Sequence, residues 1–214
     1  MRREPFWALR GIDLQLHEGE RLAVVGSNGS GKTTLMRLMA GVFEPDEGNI
    51  ARCVQPTLLS LGSGFNQALS GRENIFVNGA LLGFSRQHVR LLLDRIIAFA
   101  DIGVYLDAPI RTYSSGMKVR LAFAIASHLK PEVLLMDETL ATGDRFFREK
   151  ARARLRELAT DCRALVLVSH QEQSIRRLCG RALWLDGGRV RLAGDVDTVL
   201  GAYRDSHASK GTFA

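Results

Sequence analysis

The sequence predicts an α/β fold in which a parallel sheet with flanking helices is interrupted by a helical segment. The first observation is a short apolar run at residues 22–25, which suits a buried strand and leads into a glycine-rich loop and a helical pattern. The second is a pair of apolar strands, at residues 133–136 and 164–168, with a helical stretch between them. The third is helical periodicity through the middle third of the chain, which makes this part an insert.

Two further segments complete the predicted sheet. Residues 12–17 alternate apolar and polar side chains, as a half-buried strand does, and predict a small antiparallel β edge at the start of the fold. Near the end, residues 186–188 (Asp-Gly-Gly) separate two short strands and are typical of a hairpin turn. A short helix through Val199 and Tyr203 then closes the fold.

The middle third is predicted to be a helical subdomain that follows a loop rich in Gly, Ser and Gln at residues 56–71. Ser85 is the expected N-cap of a helix with the apolar stripe Val89, Leu92, Leu93, Ile96, Ile97 and Ala100. A second helical stripe runs from Met117 to His128. We therefore expect one domain with a core at about residues 1–62 and 130–203, a helical subdomain at about residues 63–129 and a short tail at residues 204–214.

Composition excludes several classes of protein. The chain has 214 residues, 46% hydrophobic and 24% charged, which is ordinary globular composition. It contains no run of about 18 apolar residues that could cross a membrane, and its aromatic content of 7% argues against a surface that stacks single-stranded nucleic acid. Cys53, Cys162 and Cys179 lie far apart, which argues against a disulfide framework or a zinc site. We therefore expect a protein of the cytosol, or of the cytosolic side of a membrane.

The formal net charge of +6 comes mostly from arginine. Its densest part, the basic run at residues 145–156, interleaves Arg and Lys with Glu. Two interpretations are open. The favoured one is a solvated helix with pairs of opposite charge one turn apart. The alternative is a contact with acidic headgroups or with a partner chain.

The pattern GxxxxGK followed by Ser or Thr occurs at residues 26–33, between the first apolar strand and a helix, and we call it the phosphate loop. Its glycines let main-chain N–H groups surround phosphate oxygens, and the helix N-terminus adds partial positive charge. Lys32 is expected to reach the β- and γ-phosphates of a nucleotide, and the Thr33 hydroxyl to bind Mg²⁺. The candidate nucleotide-binding residues are Gly26, Ser27, Asn28, Gly29, Ser30, Gly31, Lys32, Thr33 and Thr34.

The apolar strand at residues 133–136 ends in two acids, Asp137 and Glu138. Open parallel sheets place ligand-binding groups at the carboxyl ends of their strands. Asp137 is therefore a candidate for holding Mg²⁺, directly or through water, and Glu138 for polarising the attacking water. Together with the phosphate loop, these acids predict an ATPase or a GTPase.

The segment Tyr113-Ser114-Ser115-Gly116-Met117 resembles the LSGGQ signature of ABC-type ATPases, with Tyr for Leu, Ser for the first Gly and Met for Gln. We call Ser114, Ser115, Gly116 and Met117 the signature segment. Residues 139–144 resemble the D-loop of that family, with Asp144 as its acid, and His170 follows the next strand as the family's switch histidine does. The resemblance implies that two chains clamp two ATP molecules, each between the phosphate loop of one chain and the signature segment of the other.

Three segments resemble one branch of that family, the ATP-binding subunits of exporters for capsular polysaccharide, O-antigen and teichoic acid: residues 71–75 (GRENI), 113–121 (YSSGMKVRL) and 137–144 (DETLATGD). This resemblance implies a homodimer that binds ATP and Mg²⁺ and works with two copies of a transmembrane permease. The permease is expected to dock near residues 56–85, at the cytoplasmic face of the bacterial inner membrane, and nucleic acid is not an expected partner. The alternatives are the ATPase of an importer or of a lipid or lipoprotein exporter, and a soluble ABC-type ATPase acting on nucleic acid.

Two family positions have no clear counterpart in this sequence. For the glutamine that contacts Mg²⁺ and the permease, Gln55, Leu61 and Gln67 are the candidates. For the aromatic residue that stacks on adenine, the candidates are Phe6 and Trp7.

The last segment, from Arg204 to Ala214, has few side chains to bury. It therefore predicts that the chain carries no separate glycan-binding domain.

Overall fold

The computed structural model describes residues 6–59, 64–129, 131–137 and 145–210 of the chain. Its strands are β1 (Arg21–Val25), β2 (Thr57–Leu59), β3 (Val133–Asp137), β4 (Ala164–Val168), β5 (Arg181–Asp186) and β6 (Arg189–Asp195). Its α-helices are α1 (Lys32–Met39), α2 (Gly71–Leu81), α3 (Arg86–Ala100), α4 (Ser115–His128), α5 (Arg145–Asp161), α6 (Glu172–Leu178) and α7 (Val196–Lys210). Two short 3-10 helices, Gly103–Asp107 and Ile110–Thr112, connect α3 to α4.

The strands form a six-stranded sheet in the order β2-β3-β4-β1-β5-β6. β1 is parallel to both β4 and β5, and β3 is parallel to β4, whereas β6 pairs antiparallel with β5 as a hairpin. Every residue of β4 is buried, which explains its unbroken apolar sequence, because a parallel strand is covered on both faces. The predicted α/β sheet and its closing hairpin are confirmed.

The chain divides into two compact units, of which the first contains the sheet. This unit comprises Met1–Leu58, Val133–Glu138 and Arg163–Ala214. Helix α1 packs on one face of the sheet through Leu35 and Met36, which share a buried cluster with Val24 of β1. Helix α7 lies against β5, where the ring of Tyr203 meets Trp184 edge to face at 5.5 Å.

The second unit is helical and comprises Leu59–Glu132 and Thr139–Cys162. Its core is built from α2, α3 and α4, with Ile75, Ile96 and Leu121 fully buried. Helix α5 belongs to this unit, since the ring of Phe147 packs edge to face against two phenylalanines of α3 and α4. The sequence pattern instead predicts α5 as part of the core that contains the sheet.

Some elements differ from those expected. Residues 12–17 alternate between half-buried and exposed, yet the structure assigns no strand to them. Their main-chain groups instead meet side chains: the His17 N–H donates to Glu20, and Arg181 donates to the Gln15 carbonyl. The strand β2 and the helix α2 were not predicted individually. Helix α7 continues to Lys210, beyond the helix end expected near Tyr203.

In the part of the chain that the structure describes, we find no helix with the length and apolarity needed to span a membrane.

Basic side chains bind the carbonyl ends of several helices. Arg52 donates to Leu38 at 2.6 Å and to Met39 at 3.1 Å in α1. Further contacts of this kind join Arg120 to Ala100 (2.9 Å), Lys150 to Phe99 (3.1 Å) and Arg154 to Ser127 (2.9 and 3.1 Å). Each cation thus faces the partial negative charge at a helix C-terminus. Two members of the basic run therefore have partners inside the second unit, a role that the sequence analysis did not predict.

Candidate functional site

The phosphate loop connects β1 to α1 and has room for glycine alone at two positions. Gly26 and Gly31 have φ values of 153° and 105°, which other residues rarely adopt. A Cβ atom on Gly26 would lie 2.3 Å from the carbonyl oxygen of Leu185, and one on Gly31 would lie 2.6 Å from Leu9 Cδ2. The tight turn that the sequence pattern predicts is therefore present, and it depends on both glycines.

Lys32 carries its charge inside this loop. It is the first residue of α1 and is 8% exposed. Its ammonium donates hydrogen bonds to the main-chain oxygens of Gly26, at 2.6 Å, and Ser27, at 2.8 Å. The N-cap of α1 is Gly31, which has no side chain to accept hydrogen bonds from the first helical amides. The ammonium, these amides and the helix dipole together favour an anion with several oxygens, such as a phosphate.

Three strands end at the same edge of the sheet. Val24 of β1 is opposite Val168 of β4, which is in turn opposite Asp137 of β3. Asp137 therefore ends its strand two strands from the start of the phosphate loop, about 10 Å away at the usual spacing of strands. His170 follows β4 at this edge and is exposed. The two acidic residues Glu138 and Asp144 lie outside the described residues.

The loop fits the phosphates of a nucleotide with Mg²⁺. Ser30 Oγ is buried without a hydrogen-bond partner among the residues that the structure describes, and a phosphate or its water could satisfy this hydroxyl. Thr33 is exposed and Thr34 half-buried in the first turn of α1. A threonine hydroxyl and the carboxylate of Asp137 are hard oxygen ligands, the type that Mg²⁺ prefers.

The N-terminal segment runs along the phosphate loop. The carbonyl oxygen of Ala8 would lie 2.9 Å from a Cβ on Gly31, so the chain at this point packs directly on the loop. The two preceding aromatic residues are exposed, Phe6 by 88% and Trp7 by 42%, and Arg10 lies over the Trp7 ring at 5.9 Å. Both candidates for adenine stacking thus come one or two residues before the point where the chain contacts the loop. Sequence reasoning missed the contact with Ala8, because a single small residue gives no pattern.

The candidate glutamines have other contacts. Gln55 Nε2 donates to the Ala40 carbonyl at 2.7 Å, just past the C-terminal end of α1, whereas the phosphate loop lies at the N-terminal end of that helix. Gln67, in the second unit, accepts a hydrogen bond from Lys118 of α4 at 3.3 Å. Leu61 lies outside the described residues. Gln55 therefore caps α1 in this structure.

The signature segment lies in the second unit, at the N-terminus of α4. Ser114 is the N-cap of this helix, and its hydroxyl accepts a hydrogen bond from the Met117 N–H at 3.2 Å. Ser114 and Ser115 are exposed, and a Cβ on Gly116 would meet no atom closer than 3.8 Å. The predicted helix is present, and its N-terminus has two exposed serines followed by a glycine with free space around it.

A strand, glycine loop and helix that enclose a buried lysine at the edge of a mainly parallel sheet define a P-loop nucleotide-binding protein. The family model described as ABC transporter matches residues 9–141, and the chain belongs to this family. The match includes the phosphate loop, the signature segment and Asp137.

Two curated relatives are similar over nearly all of the chain. O-antigen export system ATP-binding protein RfbB of Myxococcus xanthus is 44% identical over 200 residues, which are 93% of this chain and 46% of that protein. Teichoic acids export ATP-binding protein TagH of Shouchella clausii is 40% identical over 200 residues, which are 94% of this chain and 56% of that protein. The chain therefore spans about half the length of these curated relatives.

A solved structure confirms the fold. A dimeric ATP-binding cassette in a post-hydrolysis state, bound to ADP and Pi, matches this chain with a TM-score of 0.72. The match covers 92% of this chain and 94% of the other, at 21% identity. The α/β P-loop architecture predicted from the sequence is therefore correct.

Proposed function

We propose that this chain is the ATP-binding and ATP-hydrolysing subunit of a transporter that exports a cell-surface polysaccharide or lipid-linked glycan. The observation that carries the nucleotide part is the Lys32 ammonium, which the carbonyls of Gly26 and Ser27 hold within the phosphate loop. The identity of 40–44% to proteins named for O-antigen and teichoic acid export supports the glycan part. The fold alone would fit many transported substrates.

The phosphate loop is proposed to bind ATP through its main-chain amides and to place Lys32 against the β- and γ-phosphates. Thr33 and Asp137 would hold Mg²⁺, which neutralises phosphate charge when bound. Glu138 is proposed to orient the attacking water, and His170 to contact the γ-phosphate from its exposed position after β4. These roles for Glu138 and His170 come from the family resemblance.

Hydrolysis is proposed to need two copies of the chain. The Ser114 hydroxyl and the Gly116 amide stand at the exposed N-terminus of α4, where the nucleotide of another copy can meet them. They would stabilise the charge of the transferred phosphoryl group, as an arginine finger does elsewhere. Asp144 would contribute to the contact between the two copies. The cassette of similar fold described above is dimeric, which supports this arrangement.

The permease is proposed to dock near residues 56–85. Several apolar side chains of this range pack on the core of the second unit: Phe65, Ile75, Phe76 and Leu82. By contrast, Leu81 is 71% exposed and Val77 37%, and the two residues lie one turn apart on α2. Such an apolar strip suits a short cytoplasmic helix of a permease. This docking would place the chain at the cytoplasmic face of the bacterial inner membrane.

The Glu138→Gln variant tests the enzymatic part of the proposal. It should bind Mg-ATP as the parent chain does, hydrolyse none of it and accumulate as a dimer, because the water is no longer oriented while all phosphate contacts persist. Size-exclusion chromatography with light scattering measures the dimer, and ADP in place of ATP is the control. Hydrolysis at the parent rate, or a monomer with Mg-ATP, would contradict the assignment.

Deletion of the gene in its host tests the substrate class. A glycan should be lost from the cell surface and accumulate inside the cell. A plasmid with the parent gene should restore the surface glycan, whereas one that encodes Lys32→Ala should not. Normal surface glycans together with a lost ability to take up a solute would instead favour an importer.

Cross-linking tests the docking site. A cysteine at the exposed residue Ala68 should cross-link to the permease in a Cys53→Ser background, because Cys53 is exposed whereas Cys162 and Cys179 are buried. A cysteine at Gln87, exposed on α3, is the matched control. Cross-linking at Gln87 and not at Ala68 would contradict the proposed docking site.

A further inference from the structure

A buried amide holds the loop that precedes α2. Asn74 is fully buried, and its Nδ2 donates to the carbonyl oxygens of Ser70 (2.9 Å), Asn66 (3.0 Å) and Leu69 (3.2 Å). Its Oδ1 accepts a hydrogen bond from the Asn66 N–H at 2.9 Å. Both ends of the amide are therefore satisfied by main-chain groups of one loop, residues 66–70, and the loop is fixed to α2.

The same loop is bonded to the chain that leads into the signature segment. The Ile110 N–H donates to the Leu69 carbonyl at 2.9 Å, and the Arg111 N–H donates to the Gln67 carbonyl at 3.1 Å. Arg111 closely precedes Ser114 in the sequence. A displacement of the loop would therefore be passed through two main-chain hydrogen bonds to the N-cap of α4.

Tyr113 makes a second connection between α2 and the signature segment. It immediately precedes Ser114 and is buried, and its hydroxyl donates to the Tyr105 carbonyl at 2.6 Å. Gly71, the first residue of α2, lies directly against this hydroxyl, since a Cβ there would be 2.2 Å from the Tyr113 oxygen. The start of α2 and the residue before Ser114 are thus in close contact.

An ion pair also connects α2 to the short 3-10 helix Gly103–Asp107. Arg72 Nε donates to Asp107 Oδ1 at 2.7 Å, and Nη2 donates to Oδ2 at 3.2 Å, so the pair is bidentate. The hydrogen bond from Arg72 lowers the pKa of Asp107 below its usual value. Because both side chains are largely exposed, this pair contributes less than the buried amide does.

We propose that Asn74 is a positioning residue for the signature segment. Its amide fixes the loop at residues 66–70, this loop fixes residues 109–113, and these set where the Ser114 hydroxyl stands. The inference rests on the proposed function, in which that hydroxyl acts on a nucleotide. The loop also lies within the range where the permease is proposed to dock, so movement of the permease would shift the Ser114 hydroxyl by the same route.

The Asn74→Ala variant of the full chain tests this proposal. Asn78→Ala is the matched control, because it removes the same amide from the same helix, where Asn78 Nδ2 binds the main-chain oxygen of Asn74. The first measurement is amide hydrogen exchange, which needs no nucleotide. Residues 110 and 111 should exchange about tenfold faster in Asn74→Ala, and as in the parent in Asn78→Ala. Unchanged exchange at both residues would overturn the proposal.

The second measurement is ATP hydrolysis per bound ATP, so that unfolded chains are not counted. Asn74→Ala should lower it about tenfold and leave the affinity for Mg-ATP within about twofold, because the displaced donors act on the reacting phosphate. Parent-like hydrolysis despite faster exchange would overturn the proposal. A parent chain that neither binds nor hydrolyses ATP would overturn the proposed function, and this inference with it.

If Asn74→Ala does not fold, Asn74→Ser decides, because its hydroxyl keeps a polar group in the same place but can bond only part of the partners that the amide has. Exchange at residues 110 and 111 should then be about threefold faster, and hydrolysis per bound ATP about threefold lower, than in the parent. A parent-like value of either quantity would overturn the proposal.

Discussion

Replacing Lys32 with alanine should remove most of the affinity for Mg-ATP. The ammonium is buried and makes two charge-assisted hydrogen bonds, at 2.6 and 2.8 Å, to carbonyls of the phosphate loop. A hydrogen bond that involves a charged group contributes about 1.5–3 kcal/mol. If phosphate oxygens take the place of those carbonyls, alanine should cost about 3 kcal/mol of binding free energy, or about 100-fold in Kd. Hydrolysis should fall to background.

Equilibrium titration of the purified chain with Mg-ATP measures this loss. Arg37→Ala is the matched control, because Arg37 is exposed in the last turn of the same helix and the net charge falls equally in both variants. Arg37→Ala should bind as the parent does. The reasoning is refuted if Lys32→Ala binds within about threefold of the parent, or if Arg37→Ala loses as much, since long-range attraction would then explain the affinity.

Three further substitutions give independent checks. Gly26→Ala places a Cβ 2.3 Å from the Leu185 carbonyl oxygen and should abolish Mg-ATP binding and lower the melting temperature; normal binding would contradict the loop geometry. Burial lowers the pKa of His128, so the unfolded chain takes up the proton first and stability falls as pH drops below about 6.5. In urea titrations, His128→Asn should reduce the loss of unfolding free energy at low pH. An unaltered loss would show that His128 does not cause it. Arg52→Met removes a cation from the end of α1 and should lower the free energy of unfolding by about 1–2 kcal/mol in the same titrations, where no change would refute the capping role.

The sheet and the phosphate loop could be predicted because their determinants are local. The apolar runs at residues 22–25 and 164–168 are what strands buried on both faces require, and the loop is defined by the spacing of its glycines and Lys32. The start of α3 is equally local, since the predicted N-cap Ser85 accepts a hydrogen bond from the His88 N–H at 3.2 Å.

Helix α2 was missed because glycine and asparagine, and not a regular apolar stripe, make up much of its buried face. Gly71, Asn74 and Gly79 are among its buried residues, and a Cβ on Gly79 would lie 2.4 Å from a methyl group of Val89. The helix packs by close approach of its backbone, which a search for apolar periodicity does not detect. The signal in the sequence was the capping box formed by Ser70 and Glu73.

The partners of long polar side chains could not be predicted either. Gln55 was a candidate for metal contact, yet its amide binds the Ala40 carbonyl just beyond α1. The strand β2 has only three residues, so its place depends on the neighbouring strand more than on its own sequence. Both outcomes are decided by residues that are distant in the chain.

The basic side chains that bind helix ends change what the formal charge of +6 means. The cations concerned are Arg52, Arg120, Lys150 and Arg154. Each faces the negative end of carbonyl dipoles, which weakens the positive potential close to that side chain without changing the net charge. On a cation exchanger the chain should therefore elute earlier than other proteins of the same size with an isoelectric point near 9.6.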